Sequence, residues 1–279
     1  MAIPEAAPDQ YGVVGHPIAH SWSPFIHGMF AKNSRQNMVY RLHDIEPADF
    51  RREVLRLMTS GVRGLNVTLP PKQAAAELVN TLTRRAARAQ AVNTISLQPD
   101  NSLQGDNTDG VGLIRDLTVN LGLDPTGKRI LILGAGGAAR GILGPLIELR
   151  PSVLVIANRT IERAHALAEA FRDSFGIQTC EFAAVQGPPY DLILNATSAS
   201  LQGKMPELPP GLVSEDSICY DLAYGKGHTP FTLWAASLYA ARICKGWGML
   251  VEQAAESFEQ WRGLRPDTQP VLDALARKA

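Results

Sequence analysis

A glycine-rich turn separates a short apolar run from a longer stretch of small and apolar residues. The apolar run is RILIL (129–133), and the turn after it has the spacing Gly134-x-Gly136-x-x-Ala139. In such a turn the first glycine permits the bend, the second lets the backbone approach a pyrophosphate, and the small third residue brings the helix close to the strand. N–H groups at the helix start attract phosphate. Because the pattern follows an apolar run and opens a helical one, we favour a dinucleotide site over a simple tight turn. Its expected residues are Gly134, Ala135, Gly136, Gly137 and Ala138.

The end of the next apolar run indicates which dinucleotide to expect. An NAD site usually carries Asp or Glu there, about 20 residues after the glycines, to hold the ribose 2′-hydroxyl. The sequence at this place is IANRTIERA, with Asn158, Arg159 and Thr160 at the predicted strand end and Arg163 one turn later. Guanidinium groups suit a 2′-phosphate, so we predict NADP. The alternative is that Thr160 caps a helix while both arginines are solvated.

Four polar clusters occupy predicted strand ends in the first half of the chain. They are AHSWSP (19–24), NVTLPPK (66–72), AVNT (91–94) and GDNTDG (105–110). Each has a structural alternative: Ser23 with Pro24 suits a helix N-terminus, GDNTDG suits a turn before a capped helix, and Lys72 suits the surface. Ligand groups gather at the carboxyl ends of parallel strands. Because all four clusters are predicted to face one edge, we favour a ligand site.

The elements that must position these residues alternate between strand and helix. Strands are predicted over 11–15, 38–45, 62–68 and 91–98, and helices over 23–33, 47–61, 72–89 and 109–122. This alternation implies parallel pairing and an α/β fold. Further along, the continuous apolar runs ILIL, VLVI and LILN are typical of strands buried on both faces, as in a doubly wound sheet. A helical tail is predicted from Gly248 to Ala279.

Composition excludes several classes of protein. The chain has 279 residues, 45% of them hydrophobic, and its 27 basic residues balance its 27 acidic ones. The absence of a basic excess argues against nucleic-acid binding. The six histidines lack metal-ligand spacing, so no metal is expected. Three distant cysteines indicate a reducing compartment. Without a signal-peptide pattern or an apolar run of about 20 residues, we expect a cytoplasmic protein with no membrane partner.

Nine motifs in chain order carry a resemblance to a known family. They are YGVVGHPIAHSWSPFIH, LNVTLPPK, AVNT, GDNTDGVG, GAGGAARG, NRTIERA, NATSAS, YDLAYGKGHTPF and GWGMLVEQAA. From Tyr11 to about Ala255 the chain resembles the shikimate dehydrogenase family. The resemblance implies reversible NADPH-dependent reduction of 3-dehydroshikimate to shikimate, on the route to chorismate and the aromatic amino acids. The expected partner is therefore a small molecule, and the expected assembly is a monomer or a homodimer.

The resemblance also implies the domain organisation. Residues 1–113 would form an α/β substrate-binding domain and residues 114–245 a Rossmann-type NADP domain with a doubly wound parallel sheet. Residues 246–279 would form C-terminal helices that return to the first domain. A cleft between the two domains would hold the reactants.

Motif matching assigns roles to individual residues. Ser21 and Ser23 would hold the substrate carboxylate, while the ring hydroxyls would be held by Thr68, Asn93, Asp109 and Gln253, with Asn66 close by. Lys72 and Asp109 match the catalytic pair. Tyr224 would contact the substrate from the cofactor side, and Leu222 and Gly246 would lie near the nicotinamide.

The chemistry of ketone reduction fits the Lys72 and Asp109 assignment. Hydride transfer leaves an alkoxide that needs a proton, and an ammonium group near the carbonyl oxygen can polarise it and donate that proton. Asp109 beside Lys72 would orient the amine and favour its charged form. Whether Lys72 is the proton donor or mainly a positioned cation stays open at this point.

The chain departs from the family pattern at four places. PPKQ replaces the commoner proline-phenylalanine-lysine-glutamate, and Ala199-Ser200 replaces serine-glycine. RICKGWG lacks the frequent asparagine-x-aspartate-glycine, and Arg84 stands where an acidic residue is common. None of these changes removes a residue assigned to catalysis.

Two alternative functions remain. A paralogue acting on quinate or an aminoshikimate is one, although the paired serines of SWS favour shikimate and Arg159 favours NADP. A non-catalytic NADP-binding regulator is the other. Such a regulator should have lost Lys72 or Asp109, and both are present.

Overall fold

The computed structural model describes residues 7–68, 72–199, 203–225 and 227–278. The chain forms two compact units. Unit 1 consists of Met1–Thr108 and Gln253–Asp273, and unit 2 consists of Asp109–Glu252 and Ala274–Ala279. These limits lie a few residues from the predicted ones at 113/114 and 245/246. The predicted division into substrate and cofactor domains remains a functional prediction.

Unit 1 is built on a mixed six-stranded sheet. Its strands are β1 (Asp9–Gly15), β2 (Met38–Asp44), β3 (Val62–Val67), β4 (Thr81–Leu82), β5 (Thr94–Leu97) and β6 (Leu103–Asp106), in the order β2-β1-β3-β5-β6-β4. Its N-terminal helices are α1 (Ser23–Asn33), α2 (Phe50–Thr59), α3 (Lys72–Leu78) and α4 (Arg84–Ala89). The core side chains come mainly from α2, α3 and the central strands, with Val14, Leu65 and Ile95 fully buried.

Two expectations about unit 1 are wrong. β5 pairs antiparallel with both β3 and β6, whereas the alternation of elements predicted parallel pairing. The short segment 98–102 explains the antiparallel pairing of β5 with β6, because a parallel pair needs a much longer crossover. The helix predicted over 72–89 is interrupted by β4, and the Thr83 hydroxyl then caps α4 by accepting from the amide of Ala86.

Unit 2 is built on a parallel six-stranded sheet. Its strands are β7 (Arg129–Leu133), β8 (Val153–Ala157), β9 (Gln178–Cys180), β10 (Leu192–Asn195), β11 (Ile218–Asp221) and β12 (Arg242–Lys245), in the order β12-β11-β10-β7-β8-β9. The helices are α5 (Asp109–Arg115), which continues into a π-helical turn (Asp116–Asn120), α6 (Gly137–Glu148), α7 (Ile161–Glu169) and α8 (Pro230–Ser237). The strand order reverses between β7 and β10, which is the doubly wound arrangement predicted.

Side chains of unit 2 strands alternate between two apolar cores. Ile130 and Ile132 of β7 pack into one core, while Leu131 and Leu133 pack into the other. Continuous apolar runs follow from this burial on both faces, as predicted from the sequence. β12 escaped prediction because it is an edge strand with charged residues at both ends, a pattern that protects sheet edges.

The C-terminal tail forms two helices rather than one continuous helix. α9 (Trp247–Arg262) begins in unit 2 and ends in unit 1, and α10 (Gln269–Ala276) follows after a break. Gly263, in the left-handed conformation with φ of 70°, lies in this break. In the described part of the chain, no helix has the length and apolar character needed to cross a membrane.

Close contact between α5 and α6 generates a stability prediction. A Cβ on Gly110 would lie 2.5 Å from the carbonyl oxygen of Gly141 and 2.6 Å from Cγ of Pro145. Gly110→Ala should therefore lower the free energy of unfolding by about 1–3 kcal/mol, the usual cost of overpacking. Urea unfolding followed by circular dichroism measures this change.

Gly144 on α6 provides the matched control. A Cβ there would meet only Phe171, at 3.5 Å, which is an ordinary contact. Gly144→Ala should leave stability unchanged or raise it by up to about 1 kcal/mol, because alanine favours the helix interior. Equal stability of the two variants would contradict the packing argument.

Candidate functional site

The paired serines of unit 1 lie at the beginning of α1. The Ser21 hydroxyl donates to Oγ of Ser23 at 3.2 Å and accepts from the Ser23 amide at 3.3 Å. The alternative role of Ser23 as a helix cap is wrong, because Trp22 holds the N-cap position and no side chain caps the helix. Pro24 stands in the first turn as predicted. Two adjacent hydroxyls at a helix N-terminus suit a carboxylate.

Asn66 lies near the end of β3 with its amide fully engaged by protein groups. Its Oδ1 accepts from the Tyr40 hydroxyl at 2.7 Å, and its Nδ2 lies 2.9 Å from Oγ of Ser257 and 3.2 Å from the carbonyl oxygen of Asn93. Asn66 is therefore suited to hold neighbouring groups in place. Thr68 follows β3, and its amide donates to the carbonyl of Val14 at 3.0 Å.

Buried amides and hydroxyls meet where β5 and α9 come together. Nδ2 of Asn93 donates to Oγ1 of Thr108 at 2.9 Å and to Oε1 of Gln253 at 3.3 Å. Asn93 is only 2% exposed. Gln253 is remote in sequence but is brought here by α9. These neutral groups can recognise ring hydroxyls, because a buried amide left unpaired by a wrong ligand is costly.

Lys72 and Asp109 occupy the first positions of two helices. Lys72 begins α3 with its side chain half-buried, and its carbonyl accepts from the Val92 amide at 2.8 Å. Asp109 begins α5 and is buried. Lys72 belongs to unit 1 and Asp109 to unit 2, so their predicted pairing stays a prediction. Residues 69–71, which include the prolines of PPKQ, lie outside the described residues.

Sequence analysis missed the structural role of Asp106 in GDNTDG. Its two carboxylate oxygens accept hydrogen bonds from Arg85, and further bonds come from Thr83 and Gln260. Burial opposes ionisation, but the hydrogen bonds and charge of Arg85 outweigh it and hold the pKa of Asp106 below its usual value. Asp106 thus ties the end of β6 to α4 and α9. Arg84, one of the four departures from the family pattern, is exposed at the start of α4.

The glycine turn of unit 2 has the geometry that a phosphate needs. Gly134 has φ of 103°, and a Cβ there would lie 3.1 Å from the carbonyl oxygen of Ala196. Gly136 is the N-cap of α6, and a Cβ there would meet nothing within 4 Å. Gly137 and Ala138 form the first turn of α6, whose N–H groups have no partner inside the helix. The open space beside Gly136 and these N–H groups fit a pyrophosphate.

Asn158 braces the glycine turn against the end of β8. Its Oδ1 accepts from the Ala135 amide at 3.2 Å, and its Nδ2 donates to the carbonyl of Thr160 at 2.8 Å. Ala139 is fully buried, as expected for a residue that brings the helix close to the sheet. The residues of the turn and of the β8 end are therefore held together.

The basic residues after β8 are exposed. Arg159, Thr160 and Arg163 all face solvent, and within the described ranges no carboxylate pairs with either arginine. Thr160 occupies the N-cap position of α7, but its side chain makes no capping hydrogen bond. The alternative that Thr160 caps the helix with its side chain is thus wrong. No acidic residue stands at the strand end, so the local charge suits a 2′-phosphate.

Leu222, Tyr224 and Gly246 lie together after β11 and β12. A Cβ on Gly246 would lie 2.2 Å from the carbonyl oxygen of Leu222, so only glycine fits there. The ring of Tyr224 lies 5.2 Å from that of Trp247, and burial raises the pKa of Tyr224. Lys245 belongs to RICKGWG, one of the places where the chain departs from the family pattern. Its Nζ donates to two backbone carbonyls of the loop after Tyr224, each at 3.1 Å.

A buried carboxylate that sequence analysis missed joins the ends of β10 and β11. Asp221 accepts from Nδ2 of Asn195 at 3.0 Å and from the hydroxyl of Thr229 at 2.6 Å. Thr229 also caps α8. The same hydrogen-bond network therefore connects the end of β10, the end of β11 and the beginning of α8. Ala199-Ser200, where the chain departs from the family pattern, follows the end of β10 in sequence. Ser200 is outside the described residues.

Comparisons with known families match three segments of the chain. Residues 13–95 match the shikimate dehydrogenase substrate binding domain, and residues 119–202 match the shikimate/quinate 5-dehydrogenase family. Residues 246–276 match the shikimate 5′-dehydrogenase C-terminal domain.

Individual relatives cover almost the whole chain. The NADP(+) shikimate dehydrogenase of Methylococcus capsulatus is 51% identical over 96% of both chains. The crystal structure of an Ael1 enzyme from Pseudomonas putida is 43% identical, covers 96% of this chain and 98% of its own, and superposes with a TM-score of 0.89. A Thermus thermophilus shikimate 5-dehydrogenase in complex with NADP(H) and shikimate is 31% identical, with coverage of 97% and 100% and a TM-score of 0.85.

The exposed arginines generate a prediction about cofactor choice. Arg159→Ala should raise the KM for NADP by about ten- to hundredfold, since a hydrogen bond to a charged group contributes about 1.5–3 kcal/mol. The KM for NAD, which lacks the 2′-phosphate, should change by less than about twofold. Steady-state kinetics with both cofactors measures the two values.

Arg172→Ala is the matched control, because Arg172 is an exposed arginine of unit 2 that pairs with Glu169 at 2.6 Å. It should leave both KM values unchanged. Equal effects of Arg159→Ala on NADP and NAD would argue against recognition of the 2′-phosphate.

Proposed function

Because this chain belongs to the shikimate dehydrogenase family, we propose that it catalyses the reversible NADPH-dependent reduction of 3-dehydroshikimate to shikimate. This step lies on the route to chorismate and the aromatic amino acids. The observation that carries the substrate assignment is the chemistry of unit 1, where neutral amides and hydroxyls accompany a pair of serines at a helix start. A ring with one carboxylate and several hydroxyls matches this set.

Unit 2 supplies the residues that would hold NADP. We assign the pyrophosphate to the turn of Gly134, Gly136 and the first N–H groups of α6, and the 2′-phosphate to Arg159 and Arg163. Leu222 and Gly246 are proposed to flank the nicotinamide. When bound, the reduced cofactor supplies the hydride. The protein's part is to hold it, and the glycine turn suits this because its backbone stays open toward a phosphate.

The residues proposed to bind the substrate are assigned according to the group that each can hydrogen-bond. Ser21 and Ser23 are proposed to bind the carboxylate. The amides of Asn93 and Gln253 are proposed to bind ring hydroxyls, together with Thr68 and Asp109. Tyr224 is proposed as a further substrate contact. Asn66 supports the others, because its own amide is engaged by protein groups.

Lys72 is proposed to supply the proton of the reaction. Reduction of a ketone consumes a hydride and a proton, and the proton must reach the carbonyl oxygen as negative charge develops there. The Lys72 ammonium can polarise that oxygen and then donate to it. Asp109 is proposed to orient the amine and to favour its charged form. The retention of both residues argues for an enzyme over a non-catalytic regulator.

A cytoplasmic location is proposed on separate grounds. Cys180, Cys219 and Cys244 are all free thiols, which suits a reducing compartment. Monomeric or homodimeric assembly remains a prediction.

Substrate choice is the first prediction of this proposal. Shikimate with NADP should give rising absorbance from reduced nicotinamide, whereas quinate should react more slowly, because the site must accommodate an extra hydroxyl at the carbon that bears the carboxylate. A spectrophotometric assay of both substrates with NADP and NAD compares the values of kcat/KM. Turnover of quinate without turnover of shikimate would reverse the assignment.

The role of Lys72 is the second prediction. Lys72→Ala should lower kcat by about 10²–10⁴, the range for a positioned acid–base group, while the KM for shikimate changes less. Lys128→Ala is the control, since Lys128 is an exposed lysine of unit 2, 3.6 Å from Asp191, and it should keep normal kcat. A fully active Lys72→Ala enzyme would refute the mechanism.

A further inference from the structure

Thr94, at the start of β5, is fully buried beside Asn93, and the reaction described above gives it no role. Its hydroxyl lies 3.1 Å from Nδ2 of Asn66, 3.0 Å from Oδ1 of Asn93 and 2.8 Å from Oγ of Ser257. The hydroxyl therefore connects the buried amides of Asn66 and Asn93. Its effect depends on which end of each amide it meets.

The backbone fixes the orientation of the Asn66 amide. The carbonyl oxygen of Asn93 can only accept a hydrogen bond, so the Asn66 atom 3.2 Å from it must be the donor Nδ2. Oδ1 of Asn66 then faces Tyr40, whose hydroxyl donates to it at 2.7 Å. The imidazole of His27 stacks on Tyr40 with ring centroids 4.1 Å apart and holds that ring in place.

The backbone fixes the Asn93 amide in the same way. The N–H of Thr108 can only donate, so the Asn93 atom 2.8 Å from it must be Oδ1. Oδ1 of Asn93 can only accept in its contact with the Thr94 hydroxyl at 3.0 Å, so Thr94 is the donor there, and the Ser257 hydroxyl at 2.8 Å then donates to Thr94. Nδ2 of Asn93 points the other way, toward Oε1 of Gln253 at 3.3 Å. Because Oε1 of Gln253 faces Asn93, its Nε2 lies on the opposite branch of the amide.

We propose that Thr94 is a positioning residue that completes a one-directional series of hydrogen bonds from Tyr40 through Asn66 and Asn93 to Gln253. The series fixes the orientation of the Asn93 and Gln253 amides, the two groups proposed above to bind the ring hydroxyls of the substrate. Hydrogen bonds arranged in series polarise one another, so a break in the middle weakens the donors at the end. This inference rests on the proposed function, because it explains how unit 1 recognises a hydroxylated ring.

Thr94→Val tests the inference, because valine has nearly the same shape and lacks the hydroxyl. We expect the KM for shikimate to rise by about tenfold, the effect of roughly one lost neutral hydrogen bond with its partner unpaired. The KM for NADP should stay within about twofold, since the series lies wholly in unit 1. A merely structural role would not separate the two KM values.

Thr94→Ser is the matched control, because serine keeps the hydroxyl and loses only a methyl group. It should restore the KM for shikimate to within about twofold of the unaltered enzyme. If Thr94→Val does not fold, as judged by circular dichroism, Tyr40→Phe carries the test by removing the first donor of the series. A KM for shikimate that is unchanged in the folded variant, or raised equally in Thr94→Ser, would overturn the inference.

The unaltered enzyme is assayed first, so that two kinds of failure are distinguished. Absence of shikimate oxidation by that enzyme would refute the proposed function. Normal oxidation combined with an unchanged KM in Thr94→Val would refute only the role of Thr94.

Discussion

The requirement that buried polar groups be hydrogen-bonded governs the structure of unit 1. Asn66, Asn93, Thr94 and Thr108 are all nearly inaccessible, and an unpaired amide there would cost about 1–3 kcal/mol. Their partners include Ser257 on α9. The helix must therefore pack so that the Ser257 hydroxyl lies within hydrogen-bond distance of these groups. The polar residues beside β5 therefore form the proposed site and also hold the α9 segment in unit 1.

The space available to each glycine matters more in unit 2 than the pairing of polar groups. In the doubly wound sheet the strands are covered on both faces, so the connecting turns pass close to neighbouring backbone. Gly246 leaves no room for a side chain and Gly134 has a φ of 103°, whereas the space beside Gly136 is open. This contrast separates glycines that the fold needs from the glycine that is proposed to serve a phosphate.

The two units are thus suited to different chemistry, as the proposed function requires. Unit 1 combines neutral amides and hydroxyls whose orientation the backbone fixes, and such groups discriminate strongly between hydroxylated rings. Unit 2 offers exposed guanidinium groups and helix N–H groups, which bind phosphate with less demand on exact placement. Arg85 and Asp106, although charged, are used to tie α4 and α9 to the sheet of unit 1.

The sequence alone determined the class of fold, the doubly wound half, the glycine turn and the preference for NADP, because these follow from local periodicity and from residues close in the chain. It did not determine the antiparallel pairing of β5, the edge strand β12, or the roles of Asp106 and Thr94. The two roles depend on partners such as Arg85 and Ser257 that lie far away in sequence or carry no motif, and the strand pairing depends on which strands the folded sheet places side by side. Local pattern fixes which face of an element is apolar, but only tertiary structure decides which polar groups become buried together and must satisfy one another.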